Sequence, residues 1–420
     1  MRRTLALSLT FTLSLGLLSG CGRAPAAQAL TAEPIALSQQ ELTAQDPQLP
    51  AVYAALSDFG LTLLQDTREA EGGPVLLSPL SVALALSMAA NGAEGDTLAQ
   101  LTQVLGGGTE LEALNAACQT LTQDYQSLGG STECSIANSL WTDPEGMIRE
   151  DFIGKCRGIF DAQVFSQELS DPSVVPAVNR WVDEHTNGMI PSILSEPFSE
   201  NTAALLVNAL YLKNTWMQPF EARLTGPREF THLDGTPEAL DFLRHSHATF
   251  PYLQTEDAQG VVLPYNDGRL AFFALMPQEG TNFEGWLGAL DGEAFSQLLE
   301  DRTDTEFLTL ALPKFEAEWS GQLQDILSAL GLDLAFTFGK ADFSLLGDDP
   351  NGYFLSQVIH AAKIEVNERG TEAAAATVVE ANAGSAPPPE TGVTLIFDRP
   401  FQYGILDLET GLPLFLGTFE

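Results

Sequence analysis

Basic residues are scarce in this chain: 19 lysines and arginines stand against 56 acidic residues in 420, for a formal net charge of −37. Phosphate binding needs clustered cations, and none stand out, so nucleic acid is excluded as a partner. An acidic surface favours solubility and attracts basic proteins, although simple solvation accounts for it as well. Histidine, with five copies, and cysteine, with four, are nearly as rare. There is no His-Glu-x-x-His. His245-Ser246-His247 would set two imidazoles on one strand face, but no third ligand follows at a metal-binding spacing. No metal and no other cofactor is expected. A Gly-x-Ser-x-Gly elbow is also missing, so no enzyme is expected. No internal repeat occurs. The apolar run at residues 5–18 is too short to span a bilayer as a helix.

That run is preceded by Arg2 and Arg3 and reads as the core of an export signal. It ends in Leu18-Ser19-Gly20-Cys21, which resembles a bacterial lipobox. The resemblance implies a signal peptide over residues 1–20 and a lipidated Cys21 as the mature N-terminus. The partner there is a lipid membrane, and the protein faces the periplasm or the cell exterior. Several acyl chains, at about 0.8 kcal/mol per buried methylene, make a stable anchor. Residues 21–49 are rich in Ala, Gln, Thr and Pro, without periodicity, and are expected to form a flexible tether reaching roughly 30 Å. Residues 50–420 then form one domain. Cys118, Cys134 and Cys156 are an odd number: either one is free or pairs between molecules, or all three are buried thiols.

Along the domain, Val52, Leu56, Phe59 and Leu63 mark one apolar helical face. Val75-Leu76-Leu77 reads as a short strand. Ser78-Pro79 opens a helix, as cap and first-turn proline, that ends at Asn91-Gly92. Asp96-Thr97 starts another, which stops at Gly106-Gly107-Gly108. Residues 401–406 and 412–418 flank Glu409-Thr410-Gly411 as a hairpin.

The most informative stretch is 365–389. Counting by twos, Thr371, Ala373, Ala375, Thr377, Val379 and Ala381 fall on one face of an extended chain, while Glu372 and Glu380 fall on the other. Such alternation suits a half-buried strand. The alanine content suits a helix, and the proline run that follows suits a loop. On residues alone the stretch reads first as an alanine-rich linker before a proline run.

Glu368-Arg369-Gly370-Thr371-Glu372-Ala373-Ala374-Ala375-Ala376-Thr377 resembles the hinge of the reactive centre loop in inhibitory serpins, the serine protease inhibitor superfamily. Other segments resemble the family in order: 75–97 around Ser78-Pro79, Asn179-Arg180-Trp181-Val182, Val207-Asn208-Ala209-Leu210, Leu312-Pro313-Lys314-Phe315 and Arg399-Pro400-Phe401. The likeness covers about residues 50–420. It implies an α+β fold of about nine helices around three β-sheets, with an exposed reactive centre loop at about 368–394.

It implies a function too: suicide-substrate inhibition of serine proteases through a covalent acyl complex, by a monomer. The cut loop, from Gly370 on, inserts as a new strand of the main sheet. About a dozen ladder bonds at roughly 1 kcal/mol each, with side-chain burial, drive insertion by an amount on the order of 10 kcal/mol. The family count places the reactive bond at Gly384–Ser385, with Ala383–Gly384 as its competitor. Small residues there suit elastase-like or subtilisin-like pockets. Positions matching the family's polar cluster beneath the sheet opening are Ser78, Ser81, Asn208 and His360, and Trp216 matches the aromatic residue where the loop enters. Thr371 is expected to be exposed until cleavage. A non-inhibitory serpin, acting as a surface binding or structural protein, is the alternative.

Overall fold

The structure is a computed structural model that describes residues 27–129, 132–144, 146–198, 202, 204–349, 352–371 and 392–420. Val52, Leu56, Phe59 and Leu63 fall on one side of the helix Leu49–Glu71 and are all buried, so the apolar stripe faces the core. Gly72, at φ 69°, closes that helix by donating its N–H to the Arg68 carbonyl. In the next helix, Pro79–Ala90, all twelve residues are buried. It runs beneath the main sheet and is apolar on every side, which is why its sequence shows no polar stripe.

Among the described residues there are nine α-helices of five residues or more and three sheets, in agreement with the expected α+β architecture. The main sheet has seven strands in the order Gln28–Leu30, Gln163–Ser166, Glu133–Thr142, Ala204–Thr215, Gly370–Thr371, Leu355–Val366 and Phe315–Gln322. One face of the Ala204–Thr215 strand carries Leu206, Leu210 and Leu212 toward the central core. The other carries Leu205, Val207 and Ala209 toward the helix Val174–His185. A ten-stranded sheet includes the expected C-terminal hairpin, Phe401–Asp407 against Pro413–Phe419. The third sheet pairs Met147–Ile148 with Gly347–Asp348.

Three sequence expectations need correction or completion. The stretch expected to be a flexible tether up to residue 49 lies instead on the body from residue 27 onward. Gln28–Leu30 pairs antiparallel with Gln163–Ser166, and the Ile35 N–H donates to the Gly154 carbonyl. Leu37 exchanges two hydrogen bonds with the Gln119 amide, at 2.7 and 2.9 Å. A Ser38–Glu41 capping box then starts the helix Gln39–Gln45. Composition missed this because the arm takes its order from its contacts; a Cβ on Gly158 would overlap the Ile35 backbone. His247 sits in a turn at φ 55°, so it does not share the strand face of His245. The His245 ring packs instead against Phe220 and Phe250. Cys118, Cys134 and Cys156 are all free thiols. Burial pushes the first two up to about 12 and raises the third as well. Cys21, with the rest of residues 1–26, lies outside the described residues.

Candidate functional site in the main sheet

The two central strands, Ala204–Thr215 and Leu355–Val366, are parallel, and they pair directly only in their lower halves. The pairing runs from Leu355–Ala204 up to Ala361–Ala209 and stops there. At the upper end Gly370–Thr371 sits between the two, with Gly370 opposite Thr215 and Thr371 opposite both Asn214 and Val366. Between these points, 210–213 on one lip face 362–365 on the other, with no strand between them among the described residues. The sheet thus has a seam: closed below, wedged open at the top.

The polar cluster expected from Ser78, Ser81, Asn208 and His360 assembles where the closed half ends. Asn208 and His360 are direct cross-strand neighbours. Ser81 Oγ donates to Asn208 Oδ1 at 2.5 Å, and Asn208 Nδ2 donates to the Ser81 carbonyl at 2.8 Å. His360 Nδ1 donates to Asn208 Oδ1 at 3.0 Å, while its Nε2 accepts the Ser78 N–H at 2.9 Å. One ring nitrogen donates and the other accepts, so the imidazole is neutral. Burial without a counter-charge pushes its pKa down to about 3. Ser78 is also the cap of the helix beneath, accepting the Ser81 N–H at 3.4 Å.

A fifth member, Asn138, escaped the sequence reading. It lies opposite Asn208 on the neighbouring strand and accepts its Nδ2 at 2.6 Å. No motif marks it. Its only sequence signal is an amide at an even position of a strand whose even positions, Ile136 and Leu140, face the core.

The upper end is built around Trp216. Its ring stacks on Tyr265 at 4.8 Å and meets Phe220 and Phe272 edge-on. Its Nε1 donates to the Asn367 carbonyl and its backbone N–H to that of Arg369, both at 2.8 Å. The aromatic residue therefore holds the turn that leads into the hinge. Gly370 is required by close approach: a Cβ there would overlap the Asn214 carbonyl oxygen.

Thr371 overturns one expectation. It is 1% exposed, and its hydroxyl shares a hydrogen bond with the Tyr265 hydroxyl. The first hinge side chain is already inside the sheet of the uncut chain, because the Trp216 contacts draw residues 367–370 onto the seam. Glu372, Ala373, Ala374, Ala375, Ala376 and Thr377 lie outside the described residues, as do Ala383, Gly384 and Ser385.

Comparison with known proteins bears on this geometry. A family model described as "Serpin (serine protease inhibitor)" matches residues 54–420. Serpin-Z2A of Triticum aestivum is 32% identical over 391 residues, 89% of this chain and 96% of that protein. An uncharacterised serpin-like protein of Thermococcus kodakarensis is 30% identical over 376 residues, covering 89% and 86%. The crystal structure of the thermophilic serpin tengpin in its native state superposes with a TM-score of 0.82 at 30% identity, over 94% of this chain and 99% of that one. The latent state of tengpin gives 0.73. A family match across nearly the whole chain, on the fold just described, leaves one assignment: this protein is a serpin.

Proposed function

We propose that the chain is an inhibitory serpin that traps serine proteases of small-residue specificity from a membrane anchor at Cys21. The observation that carries this reading is the register of Gly370–Thr371 above the seam. Thr371 lies opposite Asn214. If the same antiparallel register continues after cleavage, Glu372 meets Lys213, Thr377 meets Asn208, and Ala381 meets Ala204. The face of Thr371, Ala373, Ala375, Thr377 and Val379 then turns with Asn208 toward the central core, where small and hydroxyl side chains fit. Thr377 brings a hydroxyl to the row of the polar cluster. Glu372 falls on the opposite face beside a cation. Side-chain size and parity along this face therefore match insertion, and the charge of Glu372 does as well.

The chemistry is that of an arrested acyl transfer. The protease serine Oγ bonds to the carbonyl carbon of Gly384, the amide to Ser385 breaks, and Ser385 leaves as an amine with the transferred proton. Insertion before water reaches the ester holds the protease on the inhibitor. Ala383–Gly384 is the competing bond. Incubation with an elastase followed by a denaturing gel tests the reading: a band at the summed mass of the two proteins is expected. Complete cleavage with no such band would refute inhibition and leave the non-inhibitory binding role. For the anchor, mass spectrometry of the mature N-terminus is expected to show acyl chains on Cys21, and Cys21→Ser to release the protein from membranes.

A further inference from the structure

The docked arm changes what an anchor at Cys21 would do. A free tether of nearly thirty residues would let the body roam. Because Gln28–Leu30 is bound to the sheet edge, only six residue steps separate Cys21 from Ala27, about 20 Å at full extension. The position of that edge strand then decides which end of the body meets the lipid.

Gln28 pairs with Ser166, which lies in the row of Thr142; Thr142 pairs with Ala204, and Ala204 with Leu355. This is the lower end of the main sheet. Thr371, opposite Asn214, is ten residues up the same strand, about 33 Å away. The chain therefore leaves the body toward its N-terminus at the pole opposite the hinge.

That pole carries half of the large exposed apolar side chains. Six large hydrophobic side chains are exposed among the described residues. Three of them, Met147 (71%), Phe338 (64%) and Leu345 (37%), belong to segments at this end. Phe338 packs against Phe354, next to Leu355, at 5.6 Å. Met147 follows Thr142 by five residues and pairs with Asp348, three residues beyond Leu345. Exposed apolar side chains are ordinary when scattered singly; what singles these out is their place at the end where a short tether, lipidated at Cys21, would bring a bilayer.

We propose that the lower pole of the resting serpin sits on the bilayer, with Met147, Phe338 and Leu345 at the lipid interface and the hinge end turned to solvent. This rests on lipidation of Cys21. Asp342 and Asp348 flank these side chains, so a zwitterionic surface fits better than an anionic one.

The mature lipidated full-length protein, reconstituted in phosphatidylcholine vesicles, provides the test. Spin labels are placed by Met147→Cys, Phe338→Cys and, at the hinge end, Met217→Cys, with the unsubstituted protein as the blank for native thiols. All three positions are at least half exposed, so none endangers folding. At 147 and 338, collision with apolar oxygen is expected to exceed collision with a water-soluble nickel complex. At 217 the order is expected to reverse. Water-like collision at all three, in protein that floats with the vesicles and carries acyl chains, would overturn the docking while leaving the anchor intact. Protein that lacks acyl chains and does not float would overturn the anchor, and the docking with it.

Discussion

His360 offers the sharpest test of the polar cluster, because its predicted cost is tied to pH. The imidazole is buried, neutral and bonded at both nitrogens, with a folded-state pKa of about 3. Its unfolded value is near 6.5. Between these values the unfolded chain binds the proton and the folded chain does not. Stability from this group is therefore complete above pH 6.5, declines as pH falls below it, and is gone by about pH 3. From pH 7 to pH 5 linkage removes about 2 kcal/mol. At the entropy of unfolding of a chain this long, that is a fall in Tm of about 2–3 °C. His360→Gln abolishes the titration while keeping a hydrogen-bonding side chain. The assay is thermal unfolding at pH 7, 6 and 5 for both proteins. The variant starts lower at pH 7, and its curve is expected to be flatter over this range by about that amount. Equal pH dependence in the two would mean that His360 is not held neutral, and the two-sided hydrogen bonding inferred here would be wrong.

Four further outcomes follow, three of them from the upper seam. Gly370→Ala puts a methyl group into the Asn214 carbonyl, which is backbone and cannot step aside; a lower Tm and a higher stoichiometry of inhibition are expected, and an unchanged stoichiometry would refute the close-approach argument. Thr371→Val leaves the Tyr265 hydroxyl buried without its partner, at a cost of about 1–3 kcal/mol, read by denaturant unfolding of uncut protein. Thr371→Arg is expected to lower the Tm of the uncut protein as well as to turn inhibitor into substrate, since the residue it replaces is already buried; a native-like Tm would mean that Thr371 does not occupy the seam. Cleavage within residues 382–385 is expected to raise Tm by many degrees, and an unchanged melting curve in cut protein would exclude insertion.

Much of this was legible in the residues, for reasons that differ from place to place. The stripe Val52, Leu56, Phe59, Leu63 and the cap Ser78-Pro79 are local signals, and the structure honours both. The quartet Ser78, Ser81, Asn208 and His360 was legible only by family likeness, since 282 residues separate its first and last members and no local pattern joins them. Asn138 was invisible because it is recruited by register alone. The arm at 27–49 was misread for the opposite reason: its sequence is that of a linker, and its order is supplied by Gln119, Gly154 and the strand Gln163–Ser166. Thr371 was misplaced because parity says which face a residue joins, and not when.

On the proposed insertion mechanism, the two ends of the seam act against each other. At the top, Trp216 and Tyr265 hold residues 367–371 in place by the Nε1 bond to Asn367, the backbone bond to Arg369 and the hydroxyl bond to Thr371. Residues 370–371 thus already occupy the register that the proposed strand addition would extend, so the loop-closure entropy of starting that strand would already be met. Lower down, Asn208 ties its strand to the helix through Ser81, to one neighbour through Asn138 and to the other through His360. A strand advancing past Ala209 must part Asn208 from His360, leaving buried polar groups unpaired unless the incoming chain replaces the lost partner. Thr377, at that row in a continued register, carries the hydroxyl that such a replacement needs. Under the proposed insertion the cluster would act as a checkpoint for the incoming side chain, and the neutrality of His360 suits it, because a charged imidazole at that depth would demand a counter-ion at the row where the continued register places the uncharged Thr377.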